Sequence, residues 1–258
     1  MKKSFTTDAI NLKNYPLNDT DSIVVMFSKT KGLIRAVAKG AKSPKSKIGS
    51  RIQMFIANRL MLNEGKNLDT IAQAQSINTF YKIRNDLDKL SYSMYIAEII
   101  NNFCSNEFNQ DENNDKIYDL IFSAYEKIAT SEKKEEVLLT VLKFQIKIMA
   151  LLGWGLDFCY CSSCQKEIEN NAIYNPTLGS FICEECQKSH FNPSSIKIHS
   201  KIKMFLNEIS KKDFLEETKY DNVVTLAILD KCVLFMKKYI DNLSNKKTKI
   251  FEVLDSLA

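Results

Sequence analysis

The chain is poor in the residues that interrupt regular structure, with seven glycines and four prolines among 258 residues. This scarcity predicts long regular elements, mostly helices, over much of the chain. Only two histidines occur, His190 and His199, so few side chains are available for acid–base chemistry near neutral pH. The sequence also lacks a nucleophile elbow and a dinucleotide-binding fingerprint. We therefore expect a protein that is not an enzyme.

The sequence contains no run of about 18 apolar residues, which a membrane-spanning helix would need. Lys2 and Lys3 follow the first residue, but the apolar stretch that a signal peptide requires does not come after them. We therefore expect a cytoplasmic protein. In a reducing compartment, seven cysteines predict a metal site together with a few free thiols, among them Cys104 and Cys232.

Four cysteines form two close pairs, Cys161-x2-Cys164 and Cys183-x2-Cys186, with eighteen residues between the pairs. Each spacing lets one tight turn aim two sulfurs at a single ion, and four thiolates suit the tetrahedral preference of Zn²⁺. Such a site has no open position for water, so the predicted zinc is structural. Ordinary buried thiols or disulfides are the less favoured alternative. Cys159 could replace Cys161 as a ligand, and His190 is interpreted as a surface residue or a neighbour of the ligands.

The segment between the cysteine pairs predicts a β-hairpin. Tyr174 and Phe181 are strand residues in this interpretation, and the turn between them contains Gly179 at the position that needs a positive φ. Because so short a segment buries little apolar surface, metal ligation would supply most of its folding free energy. We place this four-cysteine module at residues 159–192.

The first 78 residues predict a small β domain, because short β-rich runs alternate with turn residues. The expected strands are Thr6–Leu12, Ser22–Ser28, Leu33–Ala38, Ile52–Ala57 and Leu68–Ala74. Five short strands suit a closed barrel, since closure removes the exposed strand edges. The same region carries thirteen Lys and Arg against five Asp and Glu, which predicts a surface that binds a polyanion.

A basic segment, Lys39–Arg51, contains five basic residues and no acidic one. Its Gly, Ser and Pro content argues against a helix, so we expect a mobile loop between two strands. Such a loop can wrap a phosphate backbone; the alternative is a solvated loop whose charge serves solubility only. The candidate nucleic-acid contacts are Arg35, Lys39, Lys42, Lys45, Lys47 and Arg51. Aromatic residues that could stack on bases, or belong to the core instead, are Tyr15, Phe27 and Phe55.

The remaining residues are interpreted as helices around the four-cysteine module. Apolar residues at helical spacing predict helices at about 86–97, 116–128, 135–152, 194–212 and 222–243. A polar, acidic stretch at 106–115 is interpreted as a linker. The expected fold class is α+β. A five-stranded barrel at 1–78 is followed by an all-helical domain at 79–158 and 193–258, which the zinc-ribbon-like module at 159–192 interrupts.

Three stretches carry a family resemblance. The first runs from Asp19-Thr20-Asp21-x-Ile23-Val24 through Gly32-Leu33-Ile34-Arg35-Ala36-Val37-Ala38-Lys39-Gly40-Ala41. The second is Leu151-Leu152-Gly153-Trp154-Gly155-Leu156-Asp157, which leads into the first cysteine pair, and the third is Tyr174-Asn175-Pro176, which leads into the second. In these stretches the chain resembles the RecO family of bacterial recombination mediators, which act in DNA repair.

The resemblance implies an N-terminal OB-fold, a helical C-terminal domain and, in many members, a zinc-binding insertion. It implies that the protein binds single- and double-stranded DNA and anneals complementary strands. The implied partners are RecR, single-strand-binding protein and, indirectly, RecA, which the protein would help to load onto DNA. A nucleoid-associated location in a bacterial cytoplasm is implied as well.

The alternative is a zinc-ribbon adaptor that binds protein partners and has no affinity for nucleic acid. This adaptor would show no salt-sensitive association with DNA. It would instead need an exposed apolar patch on the helical domain. The residues suggested for that patch are Phe103, Phe108 and Phe122.

Overall fold

The computed structural model describes residues 3–104, 113–218, 224–244 and 248. These residues fall into two compact units, one within Met1–Val137 and Lys246–Ala258 and the other within Leu138–Asn245. Phe108, the expected linker up to residue 112 and the expected helix start at 222 lie outside the described residues. The domain boundaries expected after residues 78, 158 and 192 stay a prediction.

The first unit contains a closed five-stranded barrel, as expected. Its strands are β1 (Ser4–Pro16), β2 (Ser22–Ser28), β3 (Gly32–Ala38), β4 (Ala57–Asn63) and β5 (Asp69–Asn78). Around the barrel the order is β1-β2-β3-β5-β4, and pairing of β4 with β1 closes the ring. Neighbouring strands are antiparallel except β3 and β5, which run parallel. The expected fold class, an OB-like barrel followed by a helical region, is confirmed.

Small and medium apolar side chains fill the interior of this barrel. Because successive residues of a strand point to opposite faces, alternate residues of β2 and β3 face inward. The interior residues include Ala9, Val24, Met26, Ala36, Ala38, Leu60 and Leu62. Several of them are alanines, so the walls can approach closely and the interior forms a packed core.

The strand expected at 52–57 is wrong, because β4 begins only at Ala57. The carbonyl groups of Arg51 and Gln53 accept hydrogen bonds from the side-chain amide of Asn11, at 2.8 and 2.9 Å. The Asn11 side chain thus provides the hydrogen bonds that the backbone of a neighbouring strand would otherwise provide. The period-two pattern in the sequence came from apolar residues of a turn that packs on the barrel.

Helices follow the barrel, after a short 3-10 helix at Tyr81–Asn85. They are α1 (Leu87–Phe103), α2 (Asn114–Thr130), α3 (Lys134–Leu151), α4 (Glu184–Ser189), α5 (Ser200–Lys211) and α6 (Leu226–Leu243). Helix α1 begins where expected, because the Asp86 carboxylate accepts a hydrogen bond from the Lys89 N–H at 3.0 Å. Helix α2 lies against β1 and β2, which helps to bury every residue of β2. Within the described ranges, no helix is both long and apolar enough to cross a membrane.

The second unit contains a small antiparallel sheet in the order β7-β6-β8. Its strands are β6 (Ala172–Asn175), β7 (Ser180–Ile182) and β8 (Ile196–Ile198). The expected hairpin is formed by β6 and β7, with Gly179 at a φ of +61° in its turn. The helix expected from residue 194 begins instead at Ser200, because the preceding residues pair with β6 as a third strand.

Candidate functional site

Four cysteines of the second unit converge on one point: Cys161, Cys164, Cys183 and Cys186. Their Sγ atoms all lie within 4.8 Å of one another, and tetrahedral Zn–S bonds of about 2.3 Å hold sulfurs at comparable separations. The donor set therefore fits a zinc ion and leaves no position for water. Cys159 lies outside this group. The Nε2 atom of His190 is hydrogen-bonded to the hydroxyl of Ser163 at 3.1 Å.

Two local backbone features, a tight turn at Cys164 and the N-terminus of α4 at Cys183, point the sulfurs of the two cysteine pairs towards each other. The Gln165 N–H donates to the carbonyl of Cys161 at 2.8 Å, and Gln165 has a φ of +60°, which closes the tight turn at Cys164. Cys183 stands at the N-terminus of α4, so Cys186 returns to the same face about one helical turn later. The Cys183 N–H also donates to the Sγ of Cys161 at 3.4 Å.

The pKa values of two cysteines in the cluster shift in opposite directions. A hydrogen bond with Ser163 lowers the pKa of Cys186, but hydrogen bonds with the neighbouring thiols, first that of Cys183, and burial raise it to about 12. Burial alone would raise the pKa of Cys161, but the backbone N–H groups of Cys164 and Cys183 outweigh that effect and lower it to about 6. The thiolate is the form that ligates a metal. By contrast, burial raises the pKa of Cys104 to about 12 and the pKa of Cys232 to about 11. These two are the unreactive core thiols of the chain.

The four-cysteine module is fixed to the helices of its own unit. The ring of Tyr174 in β6 lies 5.2 Å from the ring of Phe235 in α6, edge to face. Lys203 of α5 is buried, and its ammonium group donates a hydrogen bond to the carbonyl of Ile168 inside the module. These contacts fix the position of the module on helices α5 and α6.

The basic segment connects β3 to β4 as a series of turns. Its apolar residues Ala41 and Ile48, together with Ile52 just beyond it, pack in the barrel core. Whereas the sequence predicted a mobile loop, the structure shows a segment that is anchored to the barrel at these three points. The basic side chains of the segment are exposed, so the anchoring presents them outward.

The six candidate nucleic-acid contacts divide into two groups. The first group makes no hydrogen bond or salt bridge with any residue that the structure describes: Arg35, Lys39, Lys45 and Lys47. In the second group, the Lys42 Nζ donates to the carbonyl of Asn18 at 2.5 Å, and the Arg51 guanidinium donates to the carbonyl of Ala74. Arg51 is thus committed to the barrel, while the first group is available to an anion.

Several cations elsewhere on the barrel are neutralised by carboxylates. The ion pairs are Arg59–Asp8 at 2.8 Å, Lys31–Glu64 at 3.3 Å and Lys29–Asp119 at 2.8 Å. These pairs remove positive charge from the surfaces on which they lie. Among the described residues, the barrel cations without a carboxylate partner include those of the basic segment and Arg35, and also Lys66 in the turn between β4 and β5.

One further cation, Lys13, lies on this surface and was not among the residues predicted from the sequence. Lys13 pairs with Val25 across β1 and β2, and Val25 pairs with Arg35 across β2 and β3. Because Val24 and Met26 face the core, this row lies on the outer face, where Lys13 and Arg35 are exposed. Two strand spacings place their backbones about 10 Å apart. Only the pairing register could have shown this neighbourhood.

The aromatic residues considered for base stacking have different positions. Phe27 and Phe55 are buried in the core, so their rings do not reach a ligand. Tyr15 is half-buried and lies on the outer face, where it pairs with Ile23 in the row next to that of Lys13. Of these three aromatic residues, Tyr15 stays a candidate for stacking.

Comparison with known proteins covers nearly the whole chain. Family models described as "Recombination protein O N terminal" and "Recombination protein O C terminal" match residues 1–80 and 84–249. A "DNA repair protein RecO" from Desulforamulus reducens is 27% identical over 99% of this chain and 95% of its own length. Proteins of the same name from Thermoanaerobacter sp. and Alkaliphilus metalliredigens are 29% and 30% identical, over 91% and 81% of this chain and 92% and 82% of their own lengths.

Proposed function

The chain belongs to the RecO family of DNA repair proteins, and on that premise we propose that it binds single- and double-stranded DNA and anneals complementary strands. With RecR, it would help to load RecA onto DNA that single-strand-binding protein coats. No substrate is turned over in this role. The proposed place of action is the nucleoid in a bacterial cytoplasm.

The observation that carries the proposal is a group of exposed cations on the barrel that make no hydrogen bond or salt bridge within the described part of the chain: Arg35, Lys39, Lys45 and Lys47. A rigidly anchored basic segment holds three of them. Because the backbone of the segment is already anchored, mainly the side chains lose conformational entropy when a phosphate backbone arrives. We therefore assign DNA binding to the barrel domain, residues 1–78, and include Lys13 and Lys42 at the edge of the contact.

The mechanism proposed for annealing is neutralisation of phosphate repulsion. Two complementary strands repel each other through their backbones, and cations bound to one strand lower that repulsion at the point where pairing begins. Because the contacts are to phosphates, binding should show little sequence preference and a steep dependence on salt. Tyr15 adds one surface on which a base could stack.

The four-cysteine module, residues 159–192, is proposed to hold one structural Zn²⁺ through Cys161, Cys164, Cys183 and Cys186. Support comes from the convergence of four thiols within 4.8 Å. The ion would supply the cross-link that keeps the β6–β7 hairpin folded. The helical domain at 79–158 and 193–258 would carry this module and the surfaces for protein partners.

The alternative, a protein-binding adaptor without affinity for DNA, has weaker support. Of the residues suggested for its exposed apolar patch, Phe103 is only 7% exposed, Phe122 is half-buried, and Phe108 lies outside the described residues. The adaptor also offers no reason for the unpaired cations on the barrel. We therefore favour the DNA-binding role.

The deciding experiment measures annealing of complementary DNA strands coated with single-strand-binding protein, with and without this protein. We expect acceleration that fades as salt rises. A variant with Lys39→Gln, Lys45→Gln and Lys47→Gln should lower the slope of log affinity against log salt by about two on single strands. A control with Lys116→Gln, Lys133→Gln and Lys231→Gln removes equal charge from exposed sites elsewhere and should keep the slope. Equal slopes in both variants would overturn the assignment.

A further inference from the structure

The turn between β1 and β2 (Leu17–Asp21) is bonded to the start of the basic segment. The Gly40 N–H donates to the Oδ1 atom of Asp21 at 2.8 Å. The Lys42 N–H donates to the carbonyl of Thr20 at 3.0 Å. The Lys42 Nζ donates to the carbonyl of Asn18 at 2.5 Å. Three hydrogen bonds thus join this short turn to Gly40 and Lys42, just after Lys39.

The Asp21 carboxylate is itself held in place by its own turn. The Asn18 side-chain amide donates to Oδ2 of Asp21 at 3.2 Å, and the Thr20 hydroxyl donates to Oδ1 at 3.1 Å. In return, the Asn18 Oδ1 accepts the N–H groups of Thr20 at 2.9 Å and of Asp21 at 2.7 Å. The acceptor for Gly40 is therefore fixed before any ligand arrives.

Gly40 occupies a backbone conformation that this bond helps to define. Its φ is +61°, in the left-handed region that side-chain-bearing residues rarely adopt. The chain reverses there, between Lys39 and Lys42, and begins the turns of the basic segment. The bond from Gly40 to Asp21 therefore sets the direction in which the segment leaves β3.

A carboxylate at this place is electrostatically unfavourable for a phosphate-binding surface. Asp21 is half-buried beside Lys39, and the Gly40 N–H, followed by the Asn18 side chain, lowers the pKa of its carboxyl group below 3.8. The group is therefore ionised at neutral pH and repels phosphate. If Asp21 acted through its charge alone, removing that charge would strengthen DNA binding.

We propose that Asp21 is a positioning residue of the DNA site, which holds the basic segment through its bond to Gly40 in the arrangement that Lys39, Lys45 and Lys47 need to contact phosphates. This role rests on the proposed function. It explains why the Asp21 carboxylate is present in a phosphate-binding surface, where its charge alone would weaken binding. Asp21 makes no contact with DNA in this role.

Two variants of the full-length protein separate the hydrogen bond from the charge. Asp21→Asn removes the charge but keeps a side-chain oxygen that can accept the Gly40 N–H. Asp21→Ala removes both. We expect Asp21→Asn to bind single-stranded DNA as tightly as the natural protein or somewhat more tightly, and Asp21→Ala to bind it about five- to tenfold more weakly. The salt slope should stay unchanged in both, because no phosphate contact is lost.

Asp69 provides a matched control. Its Oδ1 accepts the N–H of Gly65 at 3.2 Å in the turn between β4 and β5, so it repeats the carboxylate–glycine bond in a different turn of the barrel, beside Ala36 of β3. Asp69→Ala should leave DNA affinity unchanged or slightly raised. Equal affinity of the Asp21→Ala and Asp21→Asn proteins would overturn the proposal, and so would equal weakening by Asp69→Ala and Asp21→Ala.

A second variant keeps the test decisive if Asp21→Ala does not fold. Asn18→Ala alters no charge, but it removes the oxygen that holds the N–H groups of Thr20 and Asp21. We expect weaker DNA binding with an unchanged salt slope and a thermal midpoint close to that of the natural protein. Undiminished binding would contradict the positioning role. Failure of the proposed function itself would look different, because the natural protein would then show no salt-dependent binding to DNA.

Discussion

The ring of Phe55 meets the ring of Tyr125 edge to face, with centroids 5.4 Å apart, although Phe55 has a φ of +67°. A left-handed backbone costs a bulky residue about 1–2 kcal/mol, whereas burial of a Phe ring stabilises by about 1.5–3 kcal/mol. Phe80, with a φ of +41°, packs on the same tyrosine at 5.9 Å. Tyr125 of α2 thus holds two strained aromatic residues that flank the end of the barrel.

Phe55→Ala should lower the free energy of unfolding by about 3–5 kcal/mol, because it empties a core position while the backbone strain remains. The urea midpoint measures this loss. Phe191, which is 75% exposed, provides the control, and Phe191→Ala should change stability by less than about 0.5 kcal/mol. Similar midpoints for the two variants would show that the Phe55 ring does not anchor the turn.

Arg51→Gln should affect stability more than DNA binding. The Arg51 guanidinium donates to the carbonyl of Ala74, a residue that is 5% exposed, and loss of this charged hydrogen bond costs about 1.5–3 kcal/mol. Lys45→Gln should show the opposite pattern, with unchanged melting and a smaller salt slope. Thermal melting and DNA titration at several salt concentrations distinguish the two. A reduced salt slope for Arg51→Gln with normal melting would return Arg51 to the group of phosphate contacts.

Metal content provides the next prediction. The purified protein should carry one Zn²⁺ per chain, and Cys183→Ser should lose it, because Cys183 belongs to the four-cysteine cluster and stands at the N-terminus of α4. Cys159→Ser is the control, since Cys159 lies outside the cluster. Metal analysis measures the bound ion, and near-ultraviolet circular dichroism measures the tertiary packing of the module. If Cys159→Ser lost the metal while Cys183→Ser kept it, the ligand set would be wrong.

The four-cysteine module could be predicted from sequence because its signal is local. Two residues between thiols define a metal-binding turn wherever the chain places it, and Gly179 marks the hairpin turn by its own conformational freedom. The third strand, β8, was missed for the opposite reason. Its three residues, Ile196–Ile198, become a strand only by pairing with β6, and two serines before them look like a helix start.

The surface of the barrel also combines features that the local sequence predicts with features that depend on distant strands. The charge of the basic segment is visible in the sequence, but its anchoring depends on Ile48 and Ile52 reaching a core that distant strands build. The nearness of Lys13 to Arg35 depends on the register of three strands. Register follows from how the whole barrel closes, so no single segment reveals it.

Lys203→Met should loosen the four-cysteine module without unfolding the helices. The buried ammonium group of Lys203 donates to the carbonyl of Ile168, and loss of that donor leaves a buried acceptor unsatisfied, at about 1–3 kcal/mol. Hydrogen exchange should quicken in residues 159–192. Lys201→Met, at an exposed position on the same helix, should leave exchange unchanged. Equal protection in the two variants would mean that aromatic packing alone fixes the module.

The Asp21–Gly40 bond also predicts an acid dependence. The pKa of Asp21 in the folded protein is lowered from 3.8, chiefly by the Gly40 N–H, so the folded state favours the ionised carboxylate. The resulting stabilisation is fully present above the ordinary pKa and is lost as pH falls through the lowered value. Asp21→Asn cannot titrate. The urea midpoint of the natural protein should therefore exceed that of Asp21→Asn at about pH 6, and the difference should shrink towards about pH 3. A difference that is constant with pH would show that ionisation of Asp21 does not stabilise the turn, whereas one that grows on acidification would show that the bond favours the protonated acid.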